Sequence, residues 1–211
     1  PKFQKLDMSN IGRKIVSATS NLARRLGSVL DGVGGQLEVA KYTEGLVPST
    51  RFIAIDNVSP TVSKHVSFIA PSASVIGNVT IGEKSSIWYG ATVRGDVNKV
   101  TIGKNTSVGD LAIIHVAKIQ NDYPTVIGNN VTIGPGAIIH AATLRDSVVV
   151  GAAAQVLDGC VVERDTVVAP GSVVTPGRVL ASGYLWAGSP ARRVRELTAE
   201  EIESISASAL K

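Results

Sequence analysis

The chain has 211 residues, 44% of them hydrophobic but only 4% aromatic, with one cysteine and a formal net charge of +4. A single cysteine excludes an intrachain disulfide and cannot alone make a metal site, and no apolar run reaches the ~18–20 residues that would span a bilayer as a helix. The basic excess lies at one end, because residues 1–32 hold Lys2, Lys5, Arg13, Lys14, Arg24 and Arg25 against Asp7 and Asp31, and the rest is formally neutral, with no aromatic-laced basic stripe of the kind that binds nucleic acid.

The chain opens at Pro1 without Met, compatible with processing or with truncation. Residues 11–30 predict an amphipathic helix: Ile15, Leu22, Leu26, Val29 and Leu30 share one face, and Arg13, Lys14, Arg24 and Arg25 lie largely elsewhere. Gly32, Gly34 and Gly35 are expected to end it. A basic amphipathic segment can dock a partner, lie on a membrane surface, belong to a targeting sequence or pack on its own domain. Residues 46–68 read as a lead-in with strand-like stretches at 51–55 and 66–69.

From Ile69 a small or branched aliphatic recurs every six residues, at Val75, Ile81, Ile87 and Val93. After a short break the period resumes at Ile102, Val108 and Ile114, then at Ile127, Ile133 and Ile139. A last run takes in Leu144, Val150, Val156, Val162, Val168 and Val174, and Gly often follows the aliphatic. This predicts an all-β fold, a parallel β-helix in which three hexapeptides make one triangular coil. The aliphatics point inward as ladders of like side chains, which suits a composition poor in large rings. Residues 117–126 interrupt the period and are expected to protrude as a loop, a frequent functional position. Cys160 lies among aliphatics and reads as a buried, inert thiol. Thr198 to Glu201 form a capping box for a helix over about 199–210, whose Leu197, Ile202 and Ile205 can pack it back along the solenoid and close an edge. Three regions result: 1–45, an N-terminal helix and linker; 46–180, the β-helix; and 181–211, a C-terminal segment and helix.

If the loop leaves from a corner, the coils stack as 81/87/93, 102/108/114 and 127/133/139. Residues directly after the third aliphatic of each coil are then Arg94, His115 and His140, in one column on one face. Rungs lie ~4.8 Å apart, so His115 and His140 can reach a common Zn²⁺ at ~2.1 Å each. Of the three histidines, His65 lies before the repeat without a visible partner and reads as structural. The neighbouring column holds Asp110 and Pro135. A ligand at position 135 would face differently and serve a site shared with an adjacent subunit, but proline cannot bind zinc. No third ligand stands on the histidine face.

Several segments resemble the γ-class carbonic anhydrases, specifically the type found in mitochondrial respiratory complex I of plants and algae. They are Ala70-Pro-Ser-Ala-Ser-Val-Ile-Gly-Asn-Val-Thr-Ile-Gly82, Ser86-Ile-Trp-Tyr-Gly90, Val93-Arg-Gly-Asp96, Ile114-His-Val-Ala-Lys118, Trp186-Ala-Gly-Ser-Pro-Ala-Arg192 and Leu197-Thr-Ala-Glu-Glu201. The resemblance covers about residues 66–207. It implies a left-handed β-helix that trimerises, with zinc at subunit interfaces held by three histidines, two from one subunit and one from its neighbour. Those positions match His115, Pro135 and His140. It also implies an interface ion pair at Arg94 and Asp96 and a carboxylate supporting the site at Asp110. The family's glutamine before that carboxylate is Gly109 here, the asparagine of its Trp-Ala-Gly-Asn-Pro segment is Ser189, and Val97 replaces an acidic proton-relay residue of the archaeal type.

With Pro135 in place of a ligand, a trimer of this chain alone is expected to be inactive, and zinc is expected at one mixed interface only. There His115 and His140 would borrow a neighbour's histidine. The leading expectation is a structural or assembly subunit of a heterotrimer of sister γ-carbonic-anhydrase-like chains. It would sit on the matrix side of the mitochondrial inner membrane, with the N-terminal helix on membrane-arm subunits or lipid. The alternative is a zinc hydratase interconverting CO₂ and bicarbonate at a mixed interface. A hexapeptide acyltransferase, with histidine as general base, is a third and weaker reading.

Overall fold

Strands of two or three residues bury at most two side chains each, so they are stable only when stacked on like strands above and below. The computed structural model describes residues 51–118 and 122–208, together with residues 19, 22, 23, 25–27, 29, 30 and 33. The chain divides into two compact units, Pro1–Val47 and Pro48–Lys211.

In the first unit the described residues are helical, and Leu22, Leu26, Val29 and Leu30 are exposed. Val33 is also helical, and Gly32, Gly34 and Gly35, the expected end of the helix, lie outside the described residues. Ile15, Arg13, Lys14 and Arg24 lie outside the described residues.

The second unit is a parallel β-solenoid. Ile87 pairs with Val108 and Val108 with Ile133 on one face. Val93 pairs with Ile114, and Ile114 with Ile139, on the next. Ile102 pairs with Ile127, and Ile127 with Leu144, on the third. The coils are therefore those the hexapeptide period predicts. The inward aliphatics are buried in all three ladders, and each fully buried Val, Ile or Leu contributes about 1.5–3 kcal/mol. Cys160 occupies an inward position, its thiol donating to the carbonyls of Val174 and Thr175, and burial pushes its pKa up.

The solenoid takes in the lead-in and continues past residue 180. Phe52–Ile53, Thr61–Val62 and Phe68–Ile69 already pair with the strands at 75–76, 80–81 and 86–87, so the lead-in is itself a coil. At the far end Val168 pairs with Trp186, which adds a rung after Leu180. The strand Ala191–Glu196 then pairs antiparallel to Tyr184–Gly188 and ends that sheet. Its exposed Arg192, Arg193 and Arg195 put charge on the free edge, a device that discourages strand addition. The helix Ala199–Ser208 follows, with Ile205 buried. Both halves of its capping box are made: Glu201 N–H donates to Thr198 Oγ1 at 3.2 Å, and Thr198 N–H to Glu201 Oε2 at 2.9 Å.

Two departures from the six-residue period shape the histidine face. The strand Thr92–Ile102 accommodates three extra residues between Val93 and Ile102, and its pairing with Ser74–Ile81 shifts register between Gly77 and Val79. That irregularity carries Asp96. The second departure is the expected loop, which leaves as a hairpin with Ala117–Lys118 antiparallel to Asp122–Tyr123.

Candidate metal centre

Parallel pairing in register places His140 directly across from His115 on adjacent coils. Their ring centroids are 5.1 Å apart, and His115 Nδ1 lies 3.2 Å from His140 Nε2. Each ring uses its other nitrogen on a carboxylate. His115 Nε2 meets Asp96 Oδ1 at 3.0 Å, and His140 Nδ1 meets Asp158 Oδ1. The result is a chain of four side chains across consecutive coils, Asp96, His115, His140 and Asp158. Ionised carboxylates only accept, so His115 donates through Nε2 and His140 through Nδ1. The facing nitrogens then need one shared proton, or a cation that takes both lone pairs.

Asp96 also pairs with Arg94 in the same chain, and its side chain is 12% exposed against 52% for the arginine. Burial pushes the Asp96 carboxyl up. Hydrogen bonds from His115, from Arg94 and from the backbone at Asp96 and Val97 outweigh that and hold it below the usual carboxylate value. The hairpin is tied to the same place, since Thr125 Oγ1 donates to the carbonyl of His115.

Asp110 and Pro135 are not brought to the histidines within one chain. Asp110 Oδ1 accepts the Tyr89 N–H at 3.0 Å, and its carbonyl accepts the Gly136 N–H at 2.8 Å. Pro135 stacks on that corner, with its carbonyl accepting the Ala153 N–H. His65 is exposed, and its backbone carbonyl accepts the Lys84 N–H. Asp158 is the residue that the sequence reading missed. Its signal was available: it lies two positions past inward Val156, on the coil next to His140.

The chain is 45% identical over 206 residues to gamma carbonic anhydrase 2, mitochondrial, of Arabidopsis thaliana, covering 96% of this chain and 73% of the relative. It belongs to the γ-class carbonic anhydrase family. Gamma carbonic anhydrase-like 1, mitochondrial, of the same plant is 32% identical over 212 residues, covering 87% of this chain and 78% of the relative. Among solved structures, a hexapeptide transferase family protein from Anaplasma phagocytophilum superposes with a TM-score of 0.71 at 42% identity, covering 75% of this chain and 91% of the other. No protein-family model matches the chain.

The family implies zinc, and the histidines fit part of a zinc site. Two nitrogens bound to one tetrahedral zinc at ~2.0–2.1 Å are about 3.3–3.4 Å apart, close to the 3.2 Å observed between His115 Nδ1 and His140 Nε2. Among the described residues, no group of three His, Cys, Asp or Glu could hold a metal ion. Within one chain, then, two ring nitrogens have the spacing of zinc ligands, and among the described residues no third donor joins them.

Proposed function

We propose that this chain is a structural and assembly subunit of a γ-carbonic-anhydrase-like heterotrimer on the matrix side of mitochondrial respiratory complex I, without CO₂ hydration of its own. One observation carries the reading: His115 and His140 converge at 3.2 Å, while the position that the family resemblance assigns to the third ligand holds Pro135. Three copies of this chain would leave every interface one ligand short. In a mixed trimer the half-site would take a neighbour's histidine, and the opposite interface, which needs residue 135 of this chain, would remain incomplete. Arg94 and Asp96 belong to the trimer contact in this reading, and Asp110 supports the neighbouring site. The exposed apolar residues of the N-terminal helix suit attachment to membrane-arm subunits or lipid.

Composition tests the proposal. The chain purified alone should hold zinc only weakly, lose it on dialysis and be inactive. Co-purified with a sister chain that carries histidine at the position equivalent to 135, it should form mixed trimers with one zinc-free interface per copy of this chain. Native mass spectrometry with metal analysis reads both outcomes, and a zinc-loaded, active trimer of this chain alone would overturn the reading. Deleting residues 1–35 should spare trimerisation and weaken membrane association; unchanged association would remove the helix from the proposal.

A second reading, a zinc-dependent carbonic anhydrase working at the mixed interface, is favoured by the preserved nitrogen geometry. Zinc, when bound, supplies the field that ionises water near neutral pH. This chain's part is to hold two imidazoles in place through Asp96 and Asp158. Substituting His115→Ala in the mixed trimer decides between the readings: loss of CO₂ hydration at that interface supports the enzyme, and unchanged hydration leaves the structural role.

A further inference from the structure

We propose that Asp158 is a positioning residue for His140: its carboxylate selects the ring tautomer protonated on Nδ1 and so leaves Nε2 as the donor nitrogen of the half-site. The inference rests on the reading of His115 and His140 as metal ligands. A neutral imidazole exposes one lone pair, and which nitrogen carries it is set by the bond that the other nitrogen makes. For His140 that bond goes to Asp158 Oδ1, and Nε2 faces His115 Nδ1 at 3.2 Å.

Asp158 is built to hold this place. Its carbonyl accepts the Gly177 N–H at 2.8 Å, and the next residue, Gly159, donates its N–H to the Ala141 carbonyl at 2.8 Å. The backbone is thus fastened to a neighbouring coil on each side. Gly159 has φ +68°, and a Cβ there would lie 3.5 Å from Tyr123 Cε1, so the hairpin closes over the turn. Among the described residues the Asp158 side chain hydrogen-bonds only His140. Asp96, its counterpart on His115, is shared with Arg94. Partners of this kind on metal-binding histidines are each worth about 10–100-fold in metal affinity.

The test uses the full chain, with histidine ring ¹⁵N resonances as one readout and Zn²⁺ titration against a chromophoric chelator as the other. In the Asp158→Ala variant, His140 should lose the Nδ1-protonated tautomer while His115 keeps its own. Zn²⁺ binding should weaken by about 10–100-fold. Asp158→Asn retains an acceptor oxygen, so it should keep the tautomer and most of the affinity; far-UV circular dichroism confirms that both variants fold. An unchanged His140 tautomer in the alanine variant, or unchanged Zn²⁺ affinity, would overturn the proposal. Failure of the underlying reading looks different: Zn²⁺ would then shift neither ring in the unmodified chain, and the tautomer result would still decide whether Asp158 positions His140.

Discussion

The column of Arg94, His115 and His140 and the corner column of Asp110 and Pro135 lie on neighbouring parts of the same coils, yet their side chains answer to different partners. In the first, polar groups bond to polar groups on adjacent rungs, from Asp96 through both histidines to Asp158. In the second, the Asp110 carboxylate accepts a backbone N–H from Tyr89, and Pro135 offers no side-chain donor or acceptor. In the proposed reading, the half of the site contained within one chain is present and the half offered to a neighbour is not. A mixed assembly can use that arrangement, because each interface draws its two halves from different chains.

The sharpest way to break this comparison is to repair the corner. Pro135→His should restore a third ligand at every interface of a trimer of this chain, raising Zn²⁺ affinity by more than the 10–100-fold that an outer partner contributes. Metal analysis after dialysis checks it, and a variant that still lacks zinc would show that position 135 does not face the half-site. A smaller effect compares the two carboxylates. Asp96→Ala removes a partner from both Arg94 and His115 at a mostly buried position, with an expected cost of about 1.5–3 kcal/mol. Asp110→Ala releases one backbone N–H and should cost about 0.5–1.5 kcal/mol. Urea unfolding of the two variants orders them, and the reverse order would place the greater structural demand on the corner.

The smallest effect is a control far from both columns. Hydrogen bonds from Arg195 and from the Thr198 N–H hold the Glu201 carboxyl down at about 2, against an ordinary value of 4.5. Since the folded value is the lower one, the cap's contribution is complete above 4.5 and is lost as pH falls through about 2. Amide protection over Ile202 to Ile205, taken relative to the intrinsic exchange rate at each pH, should therefore fall across that window and stay constant above it. Loss of protection already well above 4.5 would mean that Glu201 does not secure the helix.

Much of the fold was legible because a solenoid repeats its packing in its sequence. Ile102, Ile127 and Leu144 each recur at the position where the one below needs a match, so the period predicts the register. The ends were less legible. Tyr184 to Gly188 carry Trp186 inward instead of a small aliphatic, which hides that rung from a search for Val and Ile. In the site, His115 and His140 were legible because equal offsets from Ile114 and Ile139 put them in register. Asp158 was not, because it stands one position further from its aliphatic than His140 does, and a column count passes over it.

By itself the sequence determined the coil and the facing histidine pair, since each follows from a residue's offset within a repeat. The tertiary structure decided how the pair is held. Asp96 reaches His115 only because three extra residues alter the path of its strand, and Asp158 reaches His140 only because the turn at Gly159 is fastened between coils. Side-chain direction at a corner depends on backbone dihedrals and on the rungs beside it, and neither is written in the spacing of the aliphatics.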